Sequence, residues 1–173
     1  MKYLVFLAIL ATLAQPLLGD YKATGKAEWT AVGKPSFLKI NGVGGKLGCT
    51  LKGDKFVTGE CLVHMKYFKT GMDLRDDHMH NKYLLTETYE YSKLTLDKFE
   101  VKEGEQEFTG KLTIKKETKA VRGKILLTKI SSGFNGKAEF EVNIKDYPSI
   151  GVPSYLGITV ANKVKVKIEL EAK

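Results

Sequence analysis

Apolar and polar residues alternate most cleanly in the second half of the chain. Phe108, Gly110, Leu112 and Ile114 share one parity against Glu107, Thr109, Lys111, Thr113 and Lys115, and Val121, Gly123, Ile125 and Leu127 follow on the next run. Phe134, Gly136, Ala138, Phe140, Val142 and Ile144 repeat the pattern after a turn at Ser131, Ser132 and Gly133, and Val164, Val166, Ile168 and Leu170 carry it to the end. A period of two predicts strands with one buried face. In the first half, Tyr21 to Val32 reads as a strand with Trp29 as its large anchor, stopped at Gly33, Lys34 and Pro35, and Leu38 to Asn41 reads as a short second strand. Gly45, Leu47, Cys49 and Leu51 share a parity, as do Val57, Gly59, Cys61, Val63, Met65 and Tyr67, with Gly53 and Asp54 between them, which predicts a hairpin. If both odd sets face inward, opposed residue numbers sum to an even value, so the loop holds an odd number of residues. A three-residue loop of Asp54, Lys55 and Phe56 sets Cys49 opposite Cys61. Thr88 to Val101 has mixed parity, which predicts a bulge without placing it.

Two stretches escape the alternation. Thr70 to Leu84, TGMDLRDDHMHNKYL, reads as a short polar helix between strands. Asp76 or Asp77 is expected to cap it with the acids outside, while Met79 and Tyr83, four residues apart, dock on an apolar body. Asp146 to Ala161, DYPSIGVPSYLGITVA, is apolar for a surface loop and is expected to fold over a barrel end or a ligand. Strands with one apolar face and no helices long enough to cover them bury those faces against one another, in a closed antiparallel barrel or a sandwich. Inward small residues (Gly59, Gly110, Gly123, Gly136, Ala138) ease curvature and leave volume, which suits a barrel with a cavity. The expected class is therefore all-β, with one short helix inserted between strands.

The N-terminus changes the expected compartment. Lys2, an apolar run from Tyr3 to Leu13 and the small residues Ala14 and Gly19 predict a secretory signal peptide over 1–19, too short to span a bilayer, ahead of one domain over 20–173. The formal charge of +8 is spread along the chain. Lys163, Lys165 and Lys167 alternate with Val164, Val166 and Ile168, as on the wet face of a strand. This excludes a nucleic-acid stripe from the reading and leaves a weak attraction to anionic membrane surfaces. Two cysteines on inward faces of an exported hairpin predict a Cys49–Cys61 disulfide.

The chemistry-bearing residues support little else. His64, His78 and His80 with Met65 and Met79 have metal-ligand types, but residues two apart on a helix point to nearly opposite sides, so no metal site is assigned. Asp73, Asp76, Asp77 and His78 have acid–base types without a nucleophile motif or phosphate loop, and capping accounts for the acids, so no catalytic residue is assigned. Arg75 either holds an anionic head group or pairs with Asp73, Asp76 or Asp77.

The string TG, three residues, RD, one residue, HM and then KYL in Thr70 to Leu84 resembles the signature of the YceI-like family of bacterial periplasmic lipid-binding barrels. FTGKLTIKKETKAV (Phe108 to Val121), DYPSIGVPSYLGITVANKV and the final VKVKIELEA (Val164 to Ala172) extend the resemblance from about Tyr21 to the C-terminus. Two features depart from it: SFLKINGVGGKLG stands where the family has a histidine-containing VRHLG-like stretch, and this chain carries Cys49 and Cys61. The resemblance implies a lipocalin-like barrel in the periplasm, around an elongated apolar cavity for a polyisoprenoid tail, such as that of a quinone, or another long-chain amphiphile. Its expected wall is Val63, Met65, Leu112, Ile114, Ile125, Leu127, Phe140, Val142, Tyr147, Tyr155 and Ile158, with Arg75 at the head group. The expected role is that of a carrier or storage protein, monomeric or dimeric, without a cofactor. The alternatives are an enzyme acting on such a lipid and a stress-related interaction module with a filled core.

Overall fold

The structure is a computed structural model that describes residues 20–34, 38–155 and 158–173, with side chains described for all of these except 20, 34, 155 and 158. The expected signal peptide lies outside the described residues. The strands run in chain order as β1 (Asp20–Lys34), β2 (Lys39–Gly53), β3 (Phe56–His64), β4 (Tyr91–Glu100), β5 (Gly104–Ile114), β6 (Glu117–Ile130), β7 (Gly133–Asn143), β8 (Ser154–Tyr155) and β9 (Ile158–Ala172). Each of β1 to β6 pairs antiparallel with the next, β7 pairs with β9, and β9 returns to β1. Eight strands thus close a barrel, and the two-residue β8 folds back on the start of β9. Closure satisfies the edge groups that an open sheet would expose.

The β2–β3 hairpin has the expected register. Gly53 faces Val57 across a three-residue loop, so Cys49 faces Cys61 and the two form a disulfide with Cα atoms 4.0 Å apart. Both cysteines belong to the core. The double variant Cys49→Ala/Cys61→Ala is expected to lose about 2 to 4 kcal/mol of stability, from the freed loop in the unfolded chain and the lost packing. Urea unfolding checks this, with Ellman titration of the unfolded, unreduced wild type expected to find no free thiol.

Leu38 to Asn41 and Gly45 to Leu51 are not two strands but parts of one. Ile40 and Gly42 face inward, Val43 and Gly44 are both exposed, and Gly45 and Leu47 face inward again. The β1 register shows the same step, with Ala27 opposite Gly45 and Trp29 opposite Gly42. Two residues therefore oppose one, a bulge that reverses the parity and makes one strand read as two. Gly44 takes φ +91°, a left-handed value that suits glycine. Gly42 and Gly45 serve close approach: a Cβ would lie 2.1 Å from the Trp29 ring at Gly42 and 2.5 Å from the Phe68 ring at Gly45. The glycines of SFLKINGVGGKLG thus seat two aromatic rings, which meet edge to face at 6.5 Å. In β4 the expected bulge falls at Asp97–Lys98, where Phe99 faces Val57 and Leu96 faces Gly59.

Outside the barrel, lysines and glutamates pair across strands. Lys26 and Lys137 flank Glu169, and Lys165 and Lys167 flank Glu139. These exposed pairs each contribute little to stability and keep the wall wet.

Candidate ligand cavity

The barrel is filled in one half and hollow in the other. Leu51, Val57, Phe108, Ile125, Leu127, Ala138, Ala172 and the disulfide pack one end. The half built from the ends of β1, β3, β5 and β7 and the starts of β2, β4 and β9 encloses a cavity of about 510 Å3, within the ordinary range of small-molecule sites. Ala27, Trp29 and Ala31 (β1), Ile40 and Leu47 (β2), Leu94 (β4) and Val160, Val164, Val166 and Ile168 (β9) form much of its wall.

Two segments roof the hollow half. The first leaves β3 by a turn of 3-10 helix at Met65–Tyr67 and anchors on the β2 bulge, where Val43 and Lys69 exchange backbone hydrogen bonds at 2.9 and 2.8 Å. It continues into α1 (Asp73–His78) and a wider π-type turn over Met79–Leu84, ended by Leu85 at φ +51°. Met79 is buried, Tyr83 is half-buried, and both border the cavity, as their spacing predicts. The acids differ from expectation. Neither Asp76 nor Asp77 is the cap; Met72 holds that position without a side-chain bond. Asp76 lies inside the helix and is buried, its carboxylate accepting from the Thr70 N–H at 2.7 Å and the Thr70 hydroxyl at 2.6 Å. Arg75 donates through Nε to the same hydroxyl at 2.8 Å and through Nη2 to the Thr70 carbonyl at 2.6 Å. The T, R and D of the string therefore form one knot, and the intervening Gly71 takes φ +78° to let the chain turn back. Burial of Asp76 follows from these partners, since a carboxylate leaves water only when its oxygens are satisfied.

The second roof segment runs from a 3-10 turn at Ile144–Asp146 to β8, and Ile150 and Pro153 line the cavity. Polar latches hold both segments to the β5–β6 turn and to each other. Lys115, at φ +53°, donates to the Tyr83 carbonyl at 3.0 Å and the Ser149 carbonyl at 2.5 Å. Glu117 accepts from the Ser149 N–H at 3.0 Å and from its hydroxyl. Tyr83 Oη donates to the Ser154 carbonyl at 3.2 Å and accepts its N–H at 3.1 Å. Chiefly through the Ser149 hydroxyl, the Glu117 carboxyl is held below its ordinary value of 4.5. A depressed carboxylate stabilises the fold above its unfolded value and loses that contribution as pH falls through the lower folded value. Acidification below about pH 4.5 should therefore lower the protection factor of the Ser149 amide, its exchange rate taken relative to the free peptide at the same pH. Glu117→Gln should flatten that pH response.

Of the expected wall, Val63, Met65, Leu112, Ile114, Phe140 and Val142 line the cavity, and Arg75 borders it beside the exposed Met72 and Leu74. Ile125 and Leu127 instead sit in the packed half, because β6 turns its inward residues into the filled end. Tyr147 is buried beside the cavity rather than on its wall and donates to the Leu112 carbonyl at 3.1 Å. The side chains of Tyr155 and Ile158 lie outside the described residues. Missing from the expected set are the β1 and β9 faces and the latch residues Lys115, Glu117 and Ser149. The alternation of Val164, Val166 and Ile168 already marked the β9 face; the latches carry no local signal.

The histidines serve separate contacts. His64 bonds Glu90 at 2.9 Å on the outer face, between the rings of Tyr67 and Tyr91. His80 Nε2 donates to the Phe68 carbonyl at 2.9 Å inside the first roof segment. His78 borders the cavity. Among the described residues, no three His, Cys, Asp or Glu side chains converge as metal ligands.

Comparison with solved structures yields the same barrel. BcnA of Burkholderia cenocepacia superposes with a TM-score of 0.67 at 16% identity, over 83% of this chain and 94% of that one. A polyisoprenoid binding domain from Saccharophagus degradans, implicated in plant cell wall breakdown, gives 0.67 at 12% identity over 88% and 97%. The Campylobacter jejuni YCEI protein gives 0.60 at 15% identity over 73% and 81%. No curated protein matches the sequence. The sequence itself matches the YceI-like domain over residues 26–172, from the middle of β1 to the end of β9. That span takes in the bulge, both roof segments and every strand around the cavity, and the chain belongs to the YceI-like family.

Proposed function

We propose that this protein holds a long apolar molecule, a polyisoprenoid, quinone tail or similar amphiphile, inside the barrel for transport or storage outside the cytoplasm. The observation that carries this reading is the cavity of about 510 Å3, bounded chiefly by aliphatic and aromatic side chains beneath a two-part roof. Each methylene removed from water contributes about 0.8 kcal/mol, so a chain filling the cavity is retained after the costs of association are met. In this reading the tail dominates affinity, and Arg75, at the rim with Nε and Nη2 bonded to Thr70, meets the head group. A domain from Saccharophagus degradans described as polyisoprenoid binding shares the fold, which supports the ligand class. The buried disulfide supports an oxidising compartment. The reading assigns no catalytic step: Asp76, the buried acid of the candidate acid–base set, is occupied in positioning Thr70.

Organic extraction of the protein purified from its native compartment, followed by mass spectrometry, should recover one long-chain species in stoichiometric amount. Recovery of none, together with failure of the stripped protein to take up an apolar fluorescent probe, would leave a structural barrel in place of a carrier.

A further inference from the structure

The cavity ends at a definite floor. Phe140 lines it, but Phe108, whose ring stands edge-on to Phe140 at 6.0 Å, belongs to the packed half. The two phenylalanines face the same glycine: Gly123 is the register partner of Phe108 on one side and of Phe140 on the other. A Cβ at Gly123 would lie 2.7 Å from the Phe108 ring, so the glycine allows that ring to fill the barrel across β6. Val57, Leu51, Leu127 and Ala172 are buried in the core and form no part of the cavity lining. A chain entering under the roof therefore meets Phe140 with its far end.

We propose that Phe140, backed by Phe108, is the specificity-determining residue that limits how long a chain the barrel encloses. The inference rests on the lipid-binding reading and adds to it which lengths fit. At the ~30 Å3 that a water-sized group occupies in the liquid, a cavity of about 510 Å3 holds roughly 17 such groups. The enclosed length is then about fifteen to twenty carbons, or about three to four isoprene units, since packed interiors leave little spare room. Carbons beyond that limit stay under the roof or outside it and add no burial. Removing the Phe140 ring takes six carbons from the floor and extends the cavity toward Phe108 by about one isoprene unit.

The test uses the full chain, stripped of lipid by organic extraction and refolded with its disulfide intact. Linear all-trans prenols of two to eight isoprene units compete against a fluorescent apolar probe bound in the cavity. For the wild type, affinity should rise by about tenfold or more with each added unit up to about four units and then level off. In Phe140→Ala the break should move up by about one unit; in Phe140→Leu, which keeps more of the buried volume and protects folding, it should move by a smaller step in the same direction. Ile125→Ala, in the packed half, should leave the break in place. A wild-type series without a break, or a break unmoved in the folded Phe140 variants, overturns the length limit while leaving lipid binding intact. Failure of every prenol to displace the probe overturns the lipid reading and the length limit with it.

Discussion

Tyr147→Ala is expected to cost about 4 kcal/mol of stability, in the range for losing a buried aromatic side chain. The ring is 1% exposed, and its hydroxyl donates to the Leu112 carbonyl, which the substitution leaves without that donor. Its position explains why the cost should be high. Pairing of β6 with β7 stops at Gly123 opposite Phe140, although β6 begins at Glu117 and β7 runs to Asn143. The strands separate there around a side pocket of about 190 Å3, bordered by Lys119 to Val121, Glu141 to Asn143 and Tyr147. Val142 borders both this pocket and the main cavity, and Tyr147 borders the side pocket. Tyr147→Phe, which keeps the ring, should cost only about 1 kcal/mol. Burial, with smaller contributions from Asp146 and Glu117, pushes the Tyr147 phenol up from 10.0 to about 12. A group whose folded value is raised contributes fully below its unfolded value and loses that contribution as pH rises through the folded one. Urea midpoints should therefore fall between pH 10 and 12 in the wild type, with a smaller fall in Tyr147→Phe.

Ile114→Lys is expected to lower affinity for a long-chain ligand by about 100-fold while leaving a folded barrel. Ile114 lines the cavity from the end of β5 and is only half-buried, so a lysine there keeps its ammonium hydrated through the mouth. A bound tail would have to displace that water and lie against the charge, a penalty of about 3 kcal/mol that corresponds to the 100-fold loss. Glu107→Lys, on the exposed face of the same strand, adds a larger charge change outside the barrel and should leave affinity unaltered. Probe displacement measures affinity, and circular dichroism with urea unfolding checks the fold. Equal affinity in Ile114→Lys and wild type would place the bound tail elsewhere.

Much of this molecule was legible in one dimension, because strand side chains alternate with a period of two. That period alone determined the inward faces of β5, β6, β7 and β9 and the opposition of Cys49 to Cys61, since the parity of the hairpin residues left few registers open. It also exposed the two segments that break the pattern, and both became the roof. Where a bulge reverses the phase, the same logic divides one strand into two: the step at Val43 and Gly44 masks the continuity of β2. Asp76 departs from the pattern for a different reason, because an N-terminal acid suggests a solvent-facing cap until Thr70 folds back to satisfy it. Only the tertiary structure decided that the barrel is packed at one end and hollow at the other. A cavity wall and a dry core use the same apolar residues, so Leu127 and Leu112 look alike in sequence although one is packing and the other is wall. The latch from Lys115 and Glu117 to Tyr83 and Ser149 was likewise decided in three dimensions. Its partners lie 32 to 34 residues apart, and such bonds form from the closure of the barrel rather than from any local preference of the chain.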